Sequence, residues 1–231
     1  MHRRAVPAEP LVLPGPWDAA SARVFEAAGF PALATPSAGV AAALGYEDGG
    51  TPVDEMFAAV GRIARAVDVP VSADVEGGYG LAAAELVERL VEAGVVGCNL
   101  EDGEDGRLKD ARAHAEFLGE VCAAAAGRVF VNARVDTFVH GDGDPERAVE
   151  RAALYVAAGA ECVFPILAPV AVLPLLRAGI EGPLNVLAPA DADGPALAAL
   201  GELGAARVTF GPGLQRRAAG ALREIAAGLT A

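Results

Sequence analysis

Val71–Gly80 reads VSADVEGGYG, and Asn99–Gly103 reads NLEDG. Each is a short apolar run that passes straight into carboxylates, Asp74 and Glu76 in the first and Glu101 and Asp102 in the second. Side chains two apart on a strand point to the same side, so Asp74 and Glu76 can converge, and a neighbouring parallel strand could bring Glu101 beside them. Three carboxylates meeting without a local Lys or Arg repel one another unless a cation sits among them. Hard oxygen donors with room for water favour Mg2+, with Mn2+ as the alternative, over zinc. The competing structural reading makes these acids helix N-caps and first-turn residues. The Gly77-Gly78-Tyr79-Gly80 run weakens it, because it delays the next helix and leaves Glu76 at an open rim.

Both stretches belong to a loose repeat in which an Ala-rich helical segment ends at a Gly and a β-like run follows. EAAGFPALAT, EAGVVGCNLE, AAGAECVFPI, RAGIEGPLNVLA and ELGAARVTFG all show it. The Gly stops the helix in the left-handed region, and a buried parallel strand begins after it. On this pattern strands are expected near 11–14, 32–36, 69–75, 95–101, 128–134, 161–166, 183–187 and 206–211. Helices with apolar residues at three and four spacing are expected over 19–28, 54–66, 82–93, 111–125, 145–158, 170–178, 194–203 and 214–228, with a short extra turn over 40–44. Eight strand–helix units predict an α/β protein of the (β/α)8 TIM barrel class. No linker or composition shift divides the chain, so residues 1–231 are expected to form one barrel domain, with 1–10 flexible.

The chain has 231 residues, 53% of them hydrophobic, and a formal net charge of −13. That charge argues against a nucleic-acid or anionic-membrane partner. The weakly charged run 162–176 is broken by Pro165, Pro169 and Pro174, and no apolar core follows the arginines of MHRRAVPAEP; the expectation is a soluble cytoplasmic protein. Cys98, Cys122 and Cys162 have no metal-ligand spacing and read as buried small hydrophobes.

In a barrel, chemistry belongs at the C-terminal ends of strands and in the loops after them. Trp17 and Asp18 fall there after the first strand, and Ser37 to Val40 with Asp48 after the second. Arg134 and Asp136 follow the fifth, and Pro165, Asn185 and the Gly211–Gly213 turn complete the ring. Arg134 in VNARVD could pair with Asp136, or it could balance a bound anion and stabilise developing negative charge. TPSAGVA, 35–41, offers small residues whose backbone N–H groups could cradle an anionic oxygen, and Asp48 either reaches the acids or begins a turn. Lys109, the only lysine, lies in GEDGRLKDARAH, a polar segment that reads as a lid or a solvated loop. His2 falls in the N-terminus, and His114 and His140 read as surface residues. HExxH, GxGxxG and Walker patterns are absent.

PGPWDAASARVFEAAGFPALATPSAGVA, LGYEDGG, PVSADVEGGYG, GCNLEDG, VNARVDTF and PLNVLA, in this order over about 11–214, resemble the isocitrate lyase and phosphoenolpyruvate mutase superfamily, particularly its small bacterial members. The resemblance implies a (β/α)8 barrel, a Mg2+ ion and a 2-oxo or 2-hydroxy carboxylate substrate, with C–C or P–C chemistry through an enolate. By the same resemblance Asp74 matches the direct metal ligand, and Glu76 and Glu101 match acids that hold the ion largely through water. Asp48 matches an acid near that shell, Ser37, Ala38 and Gly39 match the segment binding the substrate carboxylate, and Arg134 matches the arginine facing the reacting group. Where the lyases carry a lid with a Cys acid and the mutases a Lys-Thr-Asn run, this chain has only DGEDGRLKDARAH.

The candidate catalytic residues are therefore Arg134, Asp48 and Lys109. Trp17, Ser37, Ala38, Gly39, Arg134 and Asn185 are the candidates for substrate binding, and Asp74, Glu76 and Glu101 for metal. The expected protein is a Mg2+-dependent lyase or hydrolase acting on a C–C bond of a small 2-oxo or 2-hydroxy carboxylate. One alternative is P–C chemistry on a phosphonopyruvate-like substrate, and another is a catalytically inactive binding barrel. Self-association is expected, since the family often exchanges its last helix between subunits.

Overall fold

The computed structural model describes residues 9–190 and 196–230. The expected flexibility of 1–10 therefore falls almost wholly outside the described residues, as do His2 and the first two residues of the helix expected over 194–203. Eight parallel strands form one sheet: β1 (Leu11–Leu13), β2 (Leu33–Thr35), β3 (Val71–Asp74), β4 (Gly97–Leu100), β7 (Phe130–Val135), β8 (Cys162–Pro165), β9 (Leu184–Leu187) and β10 (Ala205–Thr209). Their order is β1-β10-β9-β8-β7-β4-β3-β2. Beside this sheet, β5 (Gly103–Glu104) and β6 (Arg107–Leu108) pair as a small antiparallel hairpin directly after β4. The two ends of the large sheet meet where Ala34 donates its N–H to the Pro14 carbonyl at 3.1 Å, which brings the sheet round into a nearly closed (β/α)8 barrel.

Helices separate the strands: α1 (Ala19–Ala27), α2 (Ser37–Leu44), α3 (Val53–Ala64), α4 (Ala83–Glu92), α5 (Ala111–Ala125), α6 (Thr137–His140), α7 (Pro145–Ala157), α8 (Leu173–Gly179), α9 (Leu197–Glu202) and α10 (Gly213–Leu229). A 3-10 turn, Val170–Val172, leads into α8, so the helix expected over 170–178 is built in two pieces. The Gly stop of the repeat has positive φ at Gly29, Gly94, Gly159 and Gly204. In RAGIEG the role passes to Gly182, and Gly179 stays inside α8. The extra turn expected over 40–44 is a longer helix, α2, which starts at Ser37.

Alternation along the strands divides the interior. Leu33, Val71, Ala73, Cys98, Leu100, Val131 and Ala133 join the large core shared with helical residues such as Met56, Ile63, Leu86, Leu118 and Tyr155. Leu11, Leu13, Ala32 and Ala34 form a separate small cluster near the seam. The alternate positions on the other strands are buried and polar: Ser72, Asn99, Asn132, Asn185 and Arg207. Asn132 Nδ2 donates to Asn99 Oδ1 at 2.8 Å, and the Arg207 guanidinium rests over the Phe130 ring, 4.9 Å from its centroid. Cys98 and Cys162 are buried and Cys122 is half-buried, in keeping with their reading as small hydrophobes.

Candidate active site

At the C-terminal ends of the strands a cavity of about 1100 Å³ opens, lined on one side by Ser37, Ala38, Asp48, Asp74, Glu76, Glu101 and Arg134. Asp74 ends β3, and its Oδ1 accepts the backbone N–H of Glu76 at 3.1 Å. Glu76 holds φ 51°, and its carbonyl accepts the Glu101 N–H at 2.8 Å, which fastens the β3 loop to the end of β4. Among the described residues, its buried Oε1 has no hydrogen-bond partner. A non-Gly residue with positive φ beside an unsatisfied carboxylate oxygen is a costly arrangement of the kind found at ligand sites.

Arg134 stands in the middle of the acids. Its NH1 contacts Glu101 Oε1 and lies 3.6 Å from Asp74 Oδ2, and its Nε donates to Asp136 Oδ1 at 3.0 Å. The ion pair with Asp136 that the sequence left open is thus made, and the same guanidinium also faces the other acids. Burial, then the charges of Asp74 and Asp48, pushes the Glu76 carboxyl up to about 7. Burial likewise raises Asp74 and, with the Asp74 charge next, Glu101, against the lowering effect of Arg134. Five carboxylates, counting Asp48 and Asp136, gather around one guanidinium; such a set is short of positive charge.

Among the described residues, no three His, Cys, Asp or Glu side chains already close on one point as a metal shell. Arg134 NH1 lies between Glu101 and Asp74, which keeps those two carboxylates from sharing an ion directly. The donor chemistry still suits a hard cation that keeps several waters, and the unpartnered Glu76 Oε1 is a free acceptor for one of them.

Opposite in charge is the start of α2. Its N-cap, Pro36, makes no side-chain cap, and Val40 is the first residue whose N–H finds a helical acceptor, Pro36 O at 3.0 Å. The N–H groups of Ser37, Ala38 and Gly39 therefore have no acceptor within the helix, the condition that lets a helix N-terminus bind an anion. Ser37 and Ala38 line the cavity; Gly39 does not. A Cβ at Gly39 would lie 2.8 Å from Pro36 Cγ and 3.6 Å from Trp17 Cβ, so this glycine packs against its neighbours.

Two further expected binding residues are placed elsewhere. Trp17 stands edge-on to Phe25 with 6.4 Å between ring centroids and does not line the cavity. Asn185 is fully buried in the barrel, where its Nδ2 donates to Thr209 Oγ1 at 2.8 Å, and it does not reach the cavity wall. Asp48 and Lys109 both line the cavity. Lys109 Nζ is 3.7 Å from Glu104 Oε1 and packs over Gly77, where a Cβ would come within 2.8 Å of it.

Asp102, though next to Glu101, points the other way, as strand alternation requires. It is fully buried among the helices, with Oδ2 accepting Arg151 Nε and the Tyr155 hydroxyl, both at 2.6 Å. Its Oδ1 accepts the Asp136 N–H at 2.7 Å. Lys109 donates its N–H to the Asp102 carbonyl at 2.8 Å, and Arg151 NH2 donates to the Lys109 carbonyl at 2.8 Å. The β5–β6 hairpin is therefore fastened at both ends, and the expected lid segment is an anchored hairpin. His114 is no surface residue: α5 turns it inward, 3% exposed, with its ring 5.1 Å from that of Tyr155. His140 is exposed as expected, yet it also lines the cavity. Asp136, read from the sequence as a strand-end residue and a possible partner of Arg134, was not among the candidate site residues, and His140 was missed.

The sequence model of a family described as phosphoenolpyruvate phosphomutase matches residues 1–230. An uncharacterized Mycobacterium tuberculosis protein is 35% identical over 214 residues, 91% of this chain and 80% of its own length. A probable 2-methylisocitrate lyase 2 of Corynebacterium glutamicum is 33% identical over 174 residues, 70% of this chain and 57% of the lyase. The crystal structure of a candidate phosphonomutase from Burkholderia cenocepacia J2315 superimposes with TM-score 0.87 at 39% identity, covering 99% of this chain and 96% of that one.

Proposed function

The chain belongs to the phosphoenolpyruvate phosphomutase family, within the isocitrate lyase/phosphoenolpyruvate mutase superfamily of lyases and mutases, and we propose that it cleaves a C–C bond of a small 2-oxo or 2-hydroxy carboxylate through an enolate. The observation that carries this reading is the acid cluster of Asp74, Glu76 and Glu101 around Arg134, in one cavity with the N-terminus of α2.

The family uses divalent cations. Asp74 would hold Mg2+ directly, with Glu76 and Glu101 acting through water, and the ion would supply positive charge to the developing enolate. The Ser37 and Ala38 N–H groups bind the substrate carboxylate, and Arg134 faces the oxygen that gains charge. Asp136 holds the guanidinium in place through Nε. Asp48 and Lys109, on the cavity wall, are candidates to carry protons at its polar side.

P–C chemistry on a phosphonopyruvate-like substrate is the second reading, favoured by the similarity to the candidate phosphonomutase over nearly the whole chain. Self-association is supported by α10, whose Leu222, Ile225 and Leu229 are exposed at three and four spacing. No helix among the described residues is long and apolar enough to cross a membrane.

A thermal-shift titration with oxalate, a mimic of the pyruvate enolate, tests the reading. Stabilisation by oxalate that needs Mg2+ is expected by mass action; no shift at concentrations well above millimolar would remove it. Turnover of phosphonopyruvate but of no 2-oxo or 2-hydroxy carboxylate would move the assignment to P–C chemistry.

A further inference from the structure

Arg207 on β10 is 0% exposed, and among the described residues none of its three guanidinium nitrogens has a hydrogen-bond partner. A guanidinium cannot shed its proton to escape burial. Left uncompensated, a buried charge costs an amount that rivals the net stability of a whole domain. Arg207 stands two residues before Thr209, which lines the cavity, so strand alternation places it on the same inner face, one layer below the floor.

None of its neighbours supplies the missing charge. The chain has 31 acidic residues, yet among the described residues the ionisable groups that act on Arg207 are the thiols of Cys162 and Cys98. Burial raises Cys98 and pushes Cys162 up to about 11, so both stay neutral. Strand register sets Arg207 beside Leu11 and Asn185. Asn185 spends its Nδ2 on Thr209, and Asn132 spends its own on Asn99; the amide oxygens that remain carry only partial charge. The face of the Phe130 ring, 4.9 Å from the guanidinium carbon, adds a weak attraction.

We propose that Arg207 holds a monovalent inorganic anion, chloride above all, inside the barrel beneath the floor of the candidate active site. The surroundings select for a small, weakly hydrated ion. Around Phe130 the packing is tight: a Cβ on Gly97 would lie 3.0 Å from Ser72 Oγ and 3.4 Å from Phe130 Cβ. The Ser72 hydroxyl, 1% exposed and without a partner among the described residues, is a second donor beside that ring. A carboxylate or phosphate needs more room and more donors than this, whereas a halide is satisfied by one edge of a guanidinium and a hydroxyl. Such an ion would tie β10 to β7 across the barrel and hold up Asn185, whose Nδ2 in turn positions Thr209 at the cavity.

Thermal melting in sodium chloride and in sodium gluconate at one ionic strength, on protein first dialysed into gluconate, tests the site. The native Tm is expected to rise by about 4 °C for each tenfold increase in chloride above its Kd, and bromide is expected to act likewise. Arg207→Met keeps the stem and removes the charge. Its Tm is expected to be equal in the two salts, and in gluconate to match or exceed that of the native protein, as when other buried charges give way to apolar residues. A native Tm that ignores the halide overturns the proposal. So does a halide response that Arg207→Met retains, because the ion would then sit elsewhere, for example at the start of α2. Where Arg207→Met does not fold, native crystals grown in sodium bromide decide. An anomalous bromide peak against the Arg207 guanidinium is the expected result, and a water molecule in that place, or bromide only at other positions, overturns the proposal.

Discussion

Asp102 Oδ1 accepts the backbone N–H of Asp136 at 2.7 Å, so a carboxylate outside the barrel wall fixes the position of the one that grips Arg134 inside it. Asp102→Asn keeps the shape and leaves the Arg151 guanidinium without its counter-charge. Breaking a buried pair in this way costs about 3 kcal/mol. Denaturant unfolding should show that loss, and a midpoint equal to the native protein's would mean that Asp102 is no keystone.

Asp74→Ala removes the carboxylate expected to touch the metal directly. Mg2+ binding should vanish in a calorimetric titration while the circular dichroism spectrum stays native. Unchanged Mg2+ affinity would place the ion elsewhere.

Ser37→Pro isolates the contribution of one N–H group. Proline is well tolerated at the first helical position, and Pro36 at ψ 126° already has the backbone that the residue before a proline requires. Affinity for oxalate should fall about tenfold, the worth of one charge-assisted hydrogen bond, with the melting temperature nearly constant. Full affinity would show that the carboxylate does not sit on this helix.

In the metal-free protein Glu76 titrates near 7, raised by burial and by Asp74. The folded state then holds a proton that the unfolded chain has released between about pH 4.5 and 7. This contribution to stability is complete below pH 4.5 and is lost as pH rises through 7. Mg2+ competes with that proton, so its affinity should climb from pH 6 to pH 8, and Glu76→Gln should flatten the climb. A native affinity independent of pH over that range would detach Glu76 from the ion.

His114 moves the other way: burial lowers it to about 4. The unfolded chain binds the extra proton between pH 4 and 6.5, so the stability due to neutral His114 is complete above 6.5 and disappears as pH falls through 4. The full window is worth roughly 3 kcal/mol. Denaturation of His114→Phe from pH 4 to 7 should show a correspondingly shallower slope than the native protein, and parallel slopes would contradict the assignment.

The barrel was legible because its signals are local. A Gly stop followed by an apolar run marks most of the units, and the eight strands of the barrel fall within a residue of the expected ranges, β7 running on to Val135 and β10 starting at Ala205. The acids at the ends of β3 and β4 were legible for the same reason. Side-chain direction at strand ends was less so. Glu101 and Asp102 look like one motif in the sequence, and only the pleat, continued past Leu100, sends one into the cavity and the other to Arg151 and Tyr155. Asn185 sits at a strand position that looks like a rim but lies one layer down, bonded to Thr209. His114 was misread because its burial depends on Tyr155, forty-one residues away in the chain, which no local pattern announces.

The two-ended fastening of the β5–β6 hairpin has a kinetic consequence. Swinging it aside would break the Gly103 N–H bond to Asp136 Oδ2 together with the Arg151 contacts to Asp102 and to the Lys109 carbonyl, which makes it a fixed roof. Molecules must then come and go past Leu167 and Val170 on the far side. Capture should run at the ordinary encounter rate for a small molecule, with no slow isomerisation phase in stopped flow, and dwell time should be governed by the grip on the ligand alone.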